Sequence, residues 1–329
     1  VAEIRKNIVR IAAIGVASTA PGIAHSEDSL NGMFNGNGQW SGSGNSTLEV
    51  GVEGGLTLSD FSQRFAGGEF SDKLEQDIGG YGSVSVGGVF GGGDPAAMPI
   101  DWRLVGSMTR WMDNSWSDSE SYFNPPYTAS FSAGIDGGKF DFETIDIEIG
   151  KRFGTSGGAQ GRVFAGLRGL HLEQGGELFS FDYQATDGFD SYAAGFGKLA
   201  TNDFLGAGPR IGGEIRFGDR WGFVVGGSGS ILYGRSDQKA EVQIEYSYNG
   251  DNYFSDYGYG ESYSQWDWVT EATVKGALSF LGEKTRMDVG YRAQMFWNVG
   301  GDLFNDASGS DSNNVMVHGP YFSLTRQLD

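Results

Sequence analysis

Charged side chains recur at every second position within otherwise apolar segments, and that spacing is where chemistry must be sought. Arg210, Glu214 and Arg216 alternate with Ile211, Ile215 and Phe217, while Glu271 and Lys275 alternate with Thr270, Ala272, Val274, Leu278 and Phe280. Asp288 and Arg292 alternate in the same way with Met287, Val289, Tyr291, Ala293, Met295, Trp297 and Val299, and Arg168 stands in a similar segment. A period of two puts the charges on one face of a β-strand and the apolar residues on the other. Charges of both signs on one wet face can act in two ways. They can ring a water-filled lumen and set its ion preference, or they can neutralise one another as ladders inside a filled one. The residues leave both readings open, and Arg168, Arg210, Glu214, Arg216, Glu271, Lys275, Asp288 and Arg292 are the candidate lumen-lining set.

Other chemistry finds little support. The chain has no cysteine, so thiolate metal sites and thiol catalysis are excluded. His25 leaves with the export signal or sits in the flexible tail after it, and His171 and His318 have no sequence-local serine and acid around them. Ser323 lies in the segment of His318, but an odd offset places the two on opposite faces. Neither catalysis nor a cofactor is expected. The runs Gly87-Gly88, Gly91 to Gly93 and Gly226-Gly227 lack the spacing of a phosphate loop and fit tight strand curvature or a groove for a neighbouring ring. Acidic stretches such as Asp113 to Asp118 and Asp302 to Asp306 offer oxygen ligands of the kind calcium and magnesium take, without the spacing of a twelve-residue calcium loop. A hydrated outer surface is the favoured reading there, with divalent cations bridging to anionic lipid headgroups as the alternative. The net charge of −19 and pI near 4.5 exclude a binder of nucleic-acid backbones.

The elements that must hold these side chains are strands. Ten are expected, near 46–59, 81–91, 100–112, 139–153, 161–173, 203–218, 220–235, 266–281, 284–299 and 313–327. Residues 127–136 could add a hairpin and raise the count to twelve. Within 139–153 the alternation slips from Phe140 and Phe142 to Ile145, Ile147 and Ile149, either as a bulge at Thr144 would produce or as an artefact of counting. Short links such as Gly218 to Arg220 and Gly282 to Lys284 alternate with long ones at about 60–79, 113–126, 174–202, 236–265 and 299–312. The long ones hold 21 acidic and 4 basic residues, so nearly all the net charge lies on one side. Trp102 and Trp221 fall at short-link ends of strands, and Trp111, Trp266, Trp268 and Trp297 at long-link ends, as two interfacial girdles require. The expected fold is therefore all-β: a single antiparallel transmembrane β-barrel of about ten strands, with short periplasmic turns and long acidic outer loops. Residues 1–24 read as an export signal, with Arg5, Lys6 and Arg10 before a short apolar core, 25–45 as a flexible periplasmic lead-in and 46–329 as the barrel. The bacterial outer membrane, its lipid and its lipopolysaccharide are the expected surroundings.

The stretches Gly161 to Leu170, Gly206 to Phe217, Met287 to Trp297 and Val317 to Leu324 resemble strands of the Legionella-type major outer membrane proteins, a family of pore-forming barrels. The resemblance covers most of the chain after residue 160. It implies passive diffusion of small solutes or ions through a lumen. One departure is the end of the chain, Arg326 to Asp329, which is not the aromatic residue on which such barrels commonly finish. The rival class is a non-conducting surface barrel whose acidic, aromatic-rich loops bind a partner or stabilise the outer leaflet. The Tyr-dense segment Tyr246 to Tyr259 favours that rival, because Tyr with Gly, Ser and Asn makes an adaptable contact surface.

Overall fold

The period-two segments pair into one antiparallel sheet. The computed structural model describes residues 48–59, 77–90, 99–111, 116–124, 127–154, 159–186, 191–248, 259–299 and 314–328, and every element among them is a strand. In chain order these are β1 (Leu48–Ser59), β2 (Asp77–Phe90), β3 (Ile100–Trp111), β4 (Trp116–Asn124), β5 (Tyr127–Gly154), β6 (Gln160–Thr186), β7 (Ser191–Phe217), β8 (Trp221–Tyr248), β9 (Tyr259–Leu281), β10 (Thr285–Trp297) and β11 (Val315–Leu328). Sequential neighbours pair except β3 and β4, β1 pairs with β11, and β3 pairs with β5, which closes a ten-stranded barrel and removes every edge along its wall. The expected signal segment and lead-in, and the acidic stretch Asp302 to Asp306, lie outside the described residues.

The hairpin near 127–136 forms, but it does not enlarge the barrel. β4 pairs only with the start of β5, from Trp116 opposite Ile135 to Asn124 opposite Tyr127, while β3 bypasses it to reach the later half of β5. The strand count around the barrel therefore stays at ten.

Strands β5 to β8 are much longer than their sequence pattern suggested. β6 and β7 have 27 residues each and β5 and β8 have 28, against 12 in β1 and β3. At about 3.3 Å per residue and a tilt near 40°, 12 residues rise about 30 Å, roughly a bilayer's thickness, and 27 rise about 70 Å. The segments 174–202 and 236–265, expected as loops, are thus largely strand, and one side of the barrel wall continues beyond the membrane as a sheet.

The outer face is apolar over the spanning region. Ile145, Ile147 and Ile149 on β5, Val163 and Leu167 on β6, Val225 on β8 and Val274 and Leu278 on β9 all point outward and are exposed to what is lipid in the membrane. Trp221 pairs with Phe280, and Trp268 precedes Phe280 by twelve residues on the same strand. Those twelve residues separate the two aromatic tiers by about 30 Å of height. In the upper tier Tyr233 lies between Trp266 and Trp268, with ring centroids at 5.3 and 4.6 Å. Trp102 and Trp297 stand on the outward parity of β3 and β10.

Two expectations fail here. No bulge occurs at Thr144: Phe140, Phe142, Thr144, Asp146 and Glu148 all face inward in unbroken alternation, and the register shifts lie earlier, between Gly134 and Lys139. The apparent slip arose because the inner face changes from aromatic to charged while the outer face stays isoleucine. Trp111 does not join the outer girdle. It points into the barrel and packs against a buried apolar cluster, since it shares the inward parity of Asp101 and Thr109.

Candidate functional site

The barrel interior is layered, and each layer follows from which residue types fall on the inward parity. Nearest the short turns is a cross-lumen ionic layer. Arg152 donates a bidentate pair of hydrogen bonds to Glu49, at 2.8 and 2.7 Å, and a third to Asp101 at 2.6 Å. Asp101 also accepts from Arg162, which reaches Glu148 at 2.7 Å. This chain ties β1, β3, β5 and β6 together through the inside. The planar guanidinium fork makes such bridging possible where a lysine would make one contact. Arg216 closes the layer by donating to Ser279 at 3.2 Å and to the backbone carbonyls of Gly218 and Asp219 in the β7–β8 turn. That turn needs Gly218, whose φ is 97°.

A second ionic layer crosses the lumen above it. Arg168 on β6 forks onto Asp146 at 2.6 and 2.7 Å and extends to Glu271 on β9 at 2.7 Å. Glu271 accepts from Ser230 at 2.6 Å, from Thr273 and from Gln294 at 3.2 Å. On the same level Arg210 lies 3.2 Å from Asp146 and 3.4 Å from Glu148. Opposite them, Glu214 binds Arg286 at 2.9 Å and Lys275 at 3.4 Å, and Arg286 also holds Asp288 at 2.9 Å. Arg292 sits over the Tyr81 ring at 4.2 Å, donates to Gln294 at 2.6 Å and lies 3.8 Å from Glu53.

Above the ionic layers the lumen is filled by hydrocarbon. Phe140, Phe142, Leu170, Leu172, Phe204, Leu232, Val269, Phe296, Val315 and Val317 form one buried cluster. Phe296 stands edge-on to Phe142 and Phe140 at 4.9 and 5.7 Å, the arrangement that ring quadrupoles favour. Beyond this plug comes a buried polar layer in which Ser236 donates to Asn202 at 2.6 Å and Gln238 donates to Ser236 at 3.0 Å. Between the plug and the short turns, among the charged side chains, remains a polar cavity of about 150 Å³.

All eight residues expected to face the lumen do face it, and six of them take part in ion pairs that reach across to another strand. Arg216 instead anchors the β7–β8 turn, and Asp288 is paired along its own strand with Arg286. Reading the sequence missed the other charged residues of this interior, among them the partners Asp146, Glu148 and Arg286 and, beside them, Glu49, Arg103, Arg152 and Arg162. The signal for two of them was present, because outward isoleucines at 145, 147 and 149 force Asp146 and Glu148 inward.

The two described histidines lie outside this interior, and His25 lies outside the described residues. His318 faces outward and shares a hydrogen bond with the Tyr291 hydroxyl, while Ser323 faces inward and donates to Asp288 at 3.2 Å. His171 faces outward just above the apolar band, with its Nε2 3.1 Å from Asp203 and 3.7 Å from Glu173. These three side chains bring their ligand-capable atoms within 4.8 Å of one another.

An edge-free antiparallel barrel with an apolar outer band, two aromatic tiers and a polar interior is the architecture of a bacterial outer-membrane protein. The chain belongs to the family of the Legionella pneumophila major outer membrane protein precursor, whose sequence model matches residues 109–327. The match begins about fifty residues earlier than the strand motifs alone indicated. No curated protein matches the chain by sequence. Among solved structures, a major outer membrane protein from Thermus thermophilus is similar at 10% identity and a TM-score of 0.30, covering 86% of this chain and 99% of its own. The outer membrane protease OmpT from Escherichia coli is similar at 9% identity and a TM-score of 0.32, covering 86% and 96%. The β domain of the Bordetella autotransporter BrkA is similar at 6% identity and a TM-score of 0.28, covering 86% and 99%.

Proposed function

We propose that this outer-membrane barrel is closed to solutes at rest and works through the sheet and acidic loops it raises outside the membrane. The observation that carries this reading is the apolar plug. Its rings and aliphatic chains fill the cross-section above the ion pairs, and no hydrated solute passes through close-packed hydrocarbon without displacing it. The ion pairs add a second barrier, since Arg168 spans from β5 to β9 and Arg286 from β7 to β10. A ten-stranded barrel is also narrow beside the 16 to 18 strands of water-filled porins. The outward partners that suit the acidic, Tyr-rich side are lipopolysaccharide headgroups, with divalent cations between the two negative surfaces.

Passive diffusion of small solutes, the function implied by the family resemblance, is the second reading. The charged cavity of about 150 Å³ favours it, because it is space already prepared for water on the periplasmic side of the plug. The two readings separate in a liposome-swelling assay with the refolded protein. A closed barrel swells no faster in arabinose than protein-free liposomes, and the triple variant Phe140→Ala, Phe142→Ala, Phe296→Ala swells faster. Rapid swelling with the unaltered protein would overturn the closed reading.

A further inference from the structure

The lumen contains a guanidinium whose cross-strand neighbours form no ion pair with it. Arg103 projects inward from β3, and its partner across β5 is Glu148, the residue a cross-strand ion pair would use. Glu148 is already engaged, by Arg162 at 2.7 Å and Arg210 at 3.4 Å. On the other side, Arg103 is opposite Gly87 on β2, which offers no side chain. Among the described residues no carboxylate lies within ion-pairing distance of Arg103.

Arg210 is incompletely satisfied too. Its Nε and Nη1 atoms are buried and without a hydrogen-bond acceptor, because its approaches to Asp146 and Glu148 lack hydrogen-bond geometry. Both arginines border the cavity of about 150 Å³. Its lining carries seven basic side chains and five carboxylates, and two of the seven, Arg162 and Arg168, also reach Asp101 and Glu271 outside it, so the charges balance and the unmet need is local to Arg103 and Arg210. The Phe164 ring holds the nearby guanidiniums in place. It lies across Gly212, where a Cβ would stand 2.5 Å from it, and Arg162 and Arg210 sit over it at 4.8 and 5.5 Å.

We infer that this cavity is a binding site for a small oxyanion, held by Arg103 and Arg210. Buried guanidinium donors left without acceptors are costly, and a bound oxyanion removes that cost by supplying the missing acceptors. The volume equals that of about five waters, room for a phosphate-sized ion with part of its hydration. Lipid has no access to the inside of the wall, so the ligand is a free ion rather than a headgroup. Binding is read without current, so this inference stands or falls separately from the closed-lumen reading.

The test uses the full chain refolded in detergent, titrated with sodium phosphate against sodium chloride at constant ionic strength. Calorimetry is expected to show saturable heat and thermal unfolding an upward shift in Tm. In Arg103→Gln phosphate affinity falls about ten-fold or more, while Tm in chloride stays at or above that of the unaltered protein because a like-charge contact is gone. Lys239→Gln, on the outer face, keeps the full phosphate response. Absence of saturable heat in the unaltered protein would overturn the inference, and so would a phosphate response of equal size in Arg103→Gln. Should Arg103→Gln not refold, Arg103→Lys, which keeps the charge but loses the fork, must weaken phosphate binding, and unchanged binding in it contradicts the site.

Discussion

Arg168 shows what a single buried ion contributes to this interior. Its fork holds Asp146 and its remaining nitrogen reaches Glu271, and all three side chains are at least nine-tenths buried. Removing a partner from such a group leaves buried charge unpaired, which costs about 3–5 kcal/mol, whereas removing both partners costs far less. Arg168→Met should therefore destabilise the refolded barrel by roughly that amount in denaturant titrations. The double variant Arg168→Met, Glu271→Met should recover part of the loss. Additive losses would show that the two side chains do not act as a pair. The sequence made this residue legible as inward and charged, because one strand's alternation is enough to assign a face. Its partners come from β5 and β9, and which acid meets which base depends on closure of the barrel, which no single segment encodes. Arg103 is the sharper instance: it becomes unusual only once Glu148 is seen to serve two other arginines.

At the scale of elements, the strands were most legible where lipid selects their outer face. β10 and the membrane-level parts of β7 to β9 alternate cleanly because one side must be hydrocarbon and the other wet. Beyond the aromatic tier both faces are wet, the selection disappears, and Gly-, Ser- and Asp-rich sequence reads as loop although β5 to β8 continue as strands. The same reasoning explains Trp111. Its position at the upper end of β3 suits a girdle, but its parity aims it at the plug. Quenching by brominated lipid should accordingly reach Trp221, Trp266 and Trp268 in single-tryptophan variants and leave Trp111 largely unquenched. Equal quenching of Trp111 would show that β3 is paired one residue out of register.

For the whole molecule, the vertical order of the interior matters more than its net charge. Ion pairs cross the lumen near the short turns, hydrocarbon fills it above them, and the described sheet continues on one side beyond the membrane. A wall built this way has a membrane-spanning part that is rigid and filled, and its distinctive surface lies outside. The central claim is that the filled lumen does not conduct. Planar-bilayer recording of the refolded protein tests it most directly: the unaltered barrel is predicted to be electrically silent, and Phe140→Ala, Phe142→Ala, Phe296→Ala to give discrete steps. Discrete steps from the unaltered barrel, altered in size or ion preference by charge reversal at Arg210 or Arg292, would contradict it.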